Sequence, residues 1–129
     1  LRVGYALGSE ELIGIMRKCS ASWNLNVCAQ KAAVAGLADQ EYYQEQKAKI
    51  VEGREYLEKE MAALGCRVYP SQSNFIYFDT GKDPAWIQEQ LMEKGIRIGA
   101  FEMSRVSVGT IEECKLYIKA LKEILEAAE

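Results

Sequence analysis

An arginine fixed on a strand is the side chain of this sequence best suited to chemistry on an anion. The stretch Ser104-Arg105-Val106-Ser107-Val108-Gly109-Thr110 alternates polar and apolar residues at period two, as a half-buried strand does. Arg105 and Ser107 fall on one face, Val106 and Val108 on the other. Buried valines would anchor the backbone, and a guanidinium presented from a fixed base can grip a carboxylate or phosphate through two parallel hydrogen bonds. An ordinary arginine on a solvated sheet face satisfies the same pattern. Histidine is absent from the chain, which removes Ser-His-Asp and Cys-His catalysis and the commonest zinc sites. Proton transfer would therefore rest on a lysine, a carboxylate, a tyrosine or a bound cofactor. Cys19, Cys28, Cys66 and Cys114 show no metal-ligand spacing, and each sits among apolar or helical residues, as reduced small hydrophobes do.

The totals set the class. A chain of 129 residues suffices for one domain with a core. Sixteen Lys and Arg against nineteen Asp and Glu, interspersed, give a formal net charge of −3. That balance argues against a nucleic-acid binder working through a phosphate-neutralising face. No run approaches the roughly 18 to 20 apolar residues of a membrane span, and the opening Leu1-Arg2-Val3-Gly4-Tyr5 lacks the features of a signal peptide. The expected location is the cytoplasm. The strand-like opening has no preceding methionine or turn and reads as a fragment or a mature segment.

The elements that would position Arg105 follow from periodicity. Thr110 with Glu113 three residues later forms a capping box, so the strand runs straight into a helix with Ile111, Cys114, Ile118, Leu121, Leu125 and Ala128 on one stripe. Residues 2–7 read as a short strand ended by Gly8, and Ser9 as the N-cap of a helix closing near Arg17 and Lys18. An alanine-rich helix spans residues 27–38. A longer one begins at Asp39, carries Ile50, Leu57, Met61 and Leu64 on one face, tolerates Gly53 and stops at Gly65. Then the period changes to that of strands at 66–69 and 74–78, joined by Pro70-Ser71-Gln72-Ser73, with the second strand apolar enough to be an inner one. Asp83-Pro84 opens a helix that ends at Gly95, and a short strand is expected at 96–98. This order predicts an α+β fold, a small and largely antiparallel sheet with helices packed on one face. The expected division is residues 1–8, a strand with no partner in that sheet, from 9–129.

Four blocks resemble histidinol-phosphate aminotransferase, within the class I/II, fold-type I pyridoxal-phosphate enzymes. They are Leu1-Arg2-Val3-Gly4-Tyr5, Asn24-Leu25-Asn26-Val27-Cys28-Ala29-Gln30, Pro70-Ser71-Gln72-Ser73-Asn74-Phe75 and the 104–110 stretch, in the family's order and across essentially the whole length. The resemblance implies that the chain is the C-terminal small domain of such an enzyme, with residues 1–8 left from the large domain. It also implies a homodimer in amino-acid biosynthesis. The reaction implied moves an amino group between an amino-acid-like substrate and a 2-oxo acid. Arg2 would bind the phosphate of pyridoxal 5'-phosphate, and Arg105 would clamp the substrate carboxylate. Asn24 and Asn74 are expected to serve helix-start or turn structure.

Two departures qualify this. The family's Schiff-base lysine precedes the Arg2 block, so no catalytic lysine is expected in this chain, which alone should be inactive. The family also carries an arginine at the end of the strand before the clamp, where it helps to hold the substrate phosphate. Here Gly95-Ile96-Arg97-Ile98-Gly99 places Gly99 at that position. Arg97 lies two positions earlier on the same strand face, displaced by about 6 to 7 Å, and is the candidate to take over substrate binding. A phosphothreonine decarboxylase-like enzyme shares these blocks, and a stand-alone carboxylate-binding or assembly module is the alternative outside the family. Apolar surface at residues 1–7 and on the first two helices is expected to drive self-association.

Overall fold

Strands with one apolar face need a second apolar layer, and helices supply it here. In the computed structural model, which describes residues 1–128, the order is α1 (Glu10–Cys19), α2 (Val27–Ala38), α3 (Gln40–Ala63), β1 (Arg67–Tyr69), β2 (Phe75–Asp79), α4 (Pro84–Glu93), β3 (Gly99–Ala100), β4 (Ser104–Ser107) and α5 (Ile111–Ala127). Every strand pair is antiparallel, and the sheet runs β1-β2-β4-β3. This is the α+β class that the periodicity predicts, with β2 and β4 as inner strands. The chain forms two compact units, Leu1–Gln44 and the remainder from Glu45.

In the second unit, pleat parity decides what is buried. Ile76, Phe78 and Val106 point to one face and pack with Leu57 and Met61 of α3, Ile87 and Leu91 of α4, and Tyr117, Leu121 and Ile124 of α5. The Phe78 and Tyr117 rings meet edge to face, 6.3 Å between centroids. The buried stripe of α5 is centred on Cys114, Tyr117, Ile118, Leu121 and Ile124, whereas Ile111, Leu125 and Ala128 lie at its margin. Asp83 caps α4, accepting from the Ala85 amide at 2.9 Å, with Pro84 next to it. Gly65 and Gly95 end α3 and α4 in the left-handed region, at φ +81° and +77°.

Gly53 has a more specific role than a tolerated break in α3. It is buried, and a Cβ there would lie 2.9 Å from Val108 Cγ1 and 3.2 Å from the Gly109 carbonyl oxygen. The missing side chain lets α3 approach the end of β4, where a stiff β-branched residue and a backbone carbonyl leave no room to give.

One strand expectation is corrected in this unit. The edge strand forms at Gly99–Ala100, not at 96–98. Its register is set by β4, whose Arg105 and Ser104 pair with Gly99 and Ala100, and the three-residue turn 101–103 closes with the Phe101 amide donating to the Met103 carbonyl at 3.1 Å. The apolar alternation of 96–98 serves burial of Ile98 instead.

In the first unit, Ser9 caps α1 by accepting from the Leu12 amide, and Asn26 caps α2 by accepting from the Ala29 amide at 2.7 Å. The strand expected at 2–7 does not form. Residues 1–9 have no regular structure, and Arg2 sits at φ +61°, outside the extended region. A strand is stable only as one of a pair, and this run has no ladder partner among the described residues. Large apolar side chains here are exposed, among them Tyr5, Leu7, Ile15, Trp23 and Val34. Cys19 and Cys28 are exposed too, so only Cys66 and Cys114 behave as packed small hydrophobes; all four thiols are free. No helix among the described residues is long and apolar enough to cross a membrane.

Candidate functional site

The face of the sheet opposite the core is where Arg105 emerges. Register aligns Tyr69, Tyr77, Arg105 and Gly99 in one row across all four strands. Phe75 and Ser107 pair one step along, and the Phe75 and Tyr77 rings meet edge to face at 5.7 Å. The Arg105 guanidinium carbon lies 5.1 Å from the Phe75 ring centroid and 5.5 Å from that of Phe101. Two ring faces therefore hold the guanidinium by cation–π attraction and partly dehydrate it. Its Nε is buried without a hydrogen-bond partner, and among the described residues no carboxylate pairs with it. A half-buried cation on paired strands, stacked and with no anion among the described residues, is suited to take a carboxylate from a ligand.

The supports of this row explain why the 70–75 block has its composition. Ser71 Oγ donates to the Phe75 carbonyl at 2.7 Å and accepts from the Ser73 amide at 3.0 Å. From α3, buried Arg54 donates to the Ser73 carbonyl, and Glu58 accepts from the Ser71 amide. The Asn74 carbonyl accepts from the Val108 amide at 2.8 Å, extending the β2–β4 contact past Phe75. Asn74 thus joins the ladder through its backbone, while its side-chain Oδ1 accepts from Ser73 Oγ at 3.4 Å. At the far end of β4 the capping box is present: the Thr110 amide and hydroxyl donate to the Glu113 carboxylate at 2.7 and 3.0 Å, and the Glu113 amide donates to Thr110 Oγ1. These bonds hold the Glu113 carboxyl below its ordinary range.

Within the same unit, Arg97 does not share the aromatic row of Arg105. Arg97 is exposed and borders a separate cleft of about 390 Å³ with Val106, Ser107, Val108, Cys114 and Tyr117, a cleft that Arg105 does not line. Arg2 is exposed on the irregular segment. It offers a cation for a cofactor phosphate. No lysine belongs to the four strands or to the 101–103 turn, and Lys49, Lys94 and Lys122 are paired with glutamates. Among the described residues, nothing beside Arg105 fits the carbonyl end of pyridoxal phosphate. Burial pushes the Cys66 thiol up to about 11 and raises that of Cys114, so neither is an activated nucleophile. No cluster of metal-ligating side chains is present among the described residues. Phe75, Phe101 and Arg54 escaped the sequence reading. Phe101 was in principle visible, since it lies two residues beyond Gly99 and hence on the Arg105 face, but only if the hairpin is placed correctly.

Residues 1–121 match the family model described as aminotransferase class I and II. The chain is 34% identical to a histidinol-phosphate aminotransferase of Moorella thermoacetica over 97% of its own length, and spans 34% of that relative. Among solved structures, the histidinol-phosphate aminotransferase of Sinorhizobium meliloti in complex with pyridoxal-5'-phosphate aligns with a TM-score of 0.73 and 30% identity, covering 89% of this chain and 34% of that one. A decarboxylase from Sulfurospirillum multivorans aligns with a TM-score of 0.74 and 20% identity, over 92% of this chain and 38% of that one, and shows the fold alone. The chain thus spans about a third of the length of the proteins it matches.

The Glu113 carboxylate gives a pH test of the support behind β4. Its folded pKa is lowered from an ordinary 4.5, so the stabilisation is present above that value and is lost as pH falls through the folded pKa. Glu113→Gln should lower the urea midpoint at pH 7, and the difference from the parent chain should shrink below about pH 4. A midpoint difference that does not change with pH would show that the carboxylate's charge contributes nothing.

Proposed function

The chain belongs to the class I and II aminotransferase family, and on that premise we propose that it supplies the substrate-carboxylate grip of a pyridoxal-phosphate aminotransferase of the histidinol-phosphate type. The observation that carries this is the Arg105 guanidinium, stacked between Phe75 and Phe101 with no carboxylate of the described residues paired to it. Aromatic faces exclude water, which strengthens attraction to an incoming anion relative to a fully hydrated arginine. Bound there, the carboxylate of an amino-acid-like substrate is fixed in direction, and its amine and α-carbon are held at a set distance from the sheet. The 2-oxo-acid acceptor carries the same carboxylate and uses the same grip.

Pyridoxal 5'-phosphate supplies the electron-accepting carbonyl chemistry when bound. Arg2 holds its phosphate in the proposed whole enzyme, and Arg97 contributes a second substrate contact from the neighbouring cleft. The reactive lysine lies outside these residues, so this chain recognises and orients without moving the α-proton. Residues 1–8 belong with the large domain and 9–129 form the small one. The enzyme works in the cytoplasm as a homodimer in amino-acid biosynthesis. A decarboxylase and a stand-alone module are not favoured: the 34% relative and the 30% structural neighbour are both aminotransferases.

Three outcomes are expected. In the full-length protein, Arg105→Ala should lower kcat/KM for every amino-acid donor by on the order of 10²-fold, as loss of a charged partner does, with Arg105→Lys in between; unchanged values would remove Arg105 from the site. Treated with pyridoxal phosphate and borohydride, the 129-residue chain should show no stoichiometric labelling at a single lysine, and such labelling would place the reactive lysine inside it. The exposed apolar side chains of residues 1–37 should make that chain self-associate. A monomeric light-scattering mass at tens of micromolar, on the order of ordinary assay concentrations, would count against this.

A further inference from the structure

Arg54 is a buried cation that the carboxylate grip leaves unexplained. It lies on α3 at 8% exposure, yet no carboxylate among the described residues pairs with it. Its Nη1 donates to the Ser73 carbonyl at 3.3 Å. A guanidinium withdrawn from water without a partner anion loses hydration that a single carbonyl does not replace. An apolar side chain of similar length would fill the same space at less cost. What distinguishes arginine at this position is therefore the bond to Ser73.

That bond begins a short path to the candidate site. The Ser73 amide donates to Ser71 Oγ at 3.0 Å, and Ser71 Oγ donates to the Phe75 carbonyl at 2.7 Å. Glu58, one turn beyond Arg54, accepts from the Ser71 amide at 3.4 Å. Residues 71, 73 and 75 are thus tied to one another and to α3. Gly53, beside Arg54, brings the same helix against Val108, whose amide donates to the Asn74 carbonyl. At the end of the path the Phe75 ring stands 5.1 Å from the Arg105 guanidinium carbon. Cation–π attraction weakens as the ring leaves the cation, so the place where β2 begins decides how firmly Arg105 is held. We propose that Arg54 is a positioning residue for the carboxylate grip: without touching the ligand, it fixes the start of β2 so that Phe75 stacks on Arg105. This rests on Arg105 as that grip. A guanidinium already held in place loses less freedom when the carboxylate arrives, and affinity rises accordingly.

The test titrates glutarate, a dicarboxylate with neither amine nor ketone, calorimetrically into the full-length protein carrying its cofactor, and records the urea midpoint of each variant. Arg54→Met keeps the length and removes the donor, and should weaken glutarate about three- to tenfold, the scale of one cation–π contact. Arg54→Lys can still donate to the Ser73 carbonyl and should weaken it less. Ser71→Ala cuts the same path without touching a buried charge; it should weaken glutarate over the same range, and it decides the matter if Arg54→Met does not fold. Phe75→Leu separates positioning from stability. In that background Arg54→Met should still lower the urea midpoint but leave glutarate affinity where Phe75→Leu alone puts it. Unchanged affinity in Arg54→Met and Ser71→Ala, or an equal loss with and without the Phe75 ring, overturns the proposal. Arg105→Ala should remove most of the binding. Loss on Arg105→Ala with none on Arg54→Met or Ser71→Ala rejects the positioning role alone. Glutarate binding indifferent to Arg105→Ala, or absent from the unaltered protein, rejects the grip and the positioning role with it.

Discussion

The pairing of β2 with β4 is the constraint on which the remaining features depend, because the same ladder sets the core and the functional face. Pairing Ile76 with Val106 puts both under the helices, and pairing Tyr77 with Arg105 then puts the arginine in the open aromatic row. A slip of one residue would turn Arg105 into the apolar layer and expose Val106, so the buried face enforces the register. The Asn74 carbonyl to Val108 amide bond and the capping box at Thr110 fix the two flanks of β4. Burial on one face of the sheet thus becomes precision on the other.

Part of the support for that ladder comes from α3. Gly53 allows its close approach to Val108 and Gly109, while Arg54 and Glu58, one helical turn apart, bind the backbone of the 71–73 connection. The cation–π stack is then a consequence of strand geometry: Phe75 comes from β2, and Phe101 from the hairpin turn that Gly99 leaves room for. Both rings are presented by elements with few torsions to order, so a ligand at Arg105 meets a preformed surface.

The outcome of the candidate residues follows the same physics. Arg105 is well placed because a ladder holds it on both sides, whereas Arg2 lies on a run with no ladder partner and is exposed. Arg97 belongs to a segment that leaves the sheet before Gly99 and turns toward α5 and its cleft. Alternation alone places Arg97 and Arg105 on one strand face, but alternation has meaning only where the ladder is continuous.

Local patterns in the sequence determined the helices, their caps and the two inner strands. Ser9, Asn26, Asp83 and Thr110 bond to amides two or three residues away, and the 3.6-residue and two-residue periods record which face is buried. Those interactions close within a few residues, so neighbouring letters are enough to read them. Tertiary structure alone decided that the edge strand begins at Gly99, that the opening run is not a strand, that Gly53 is a contact and not a flaw, and that Phe101 covers both Gly99 and Arg105. Each of these depends on a partner brought near by folding, and the energy of such a contact is set by that partner's position, which no local pattern contains.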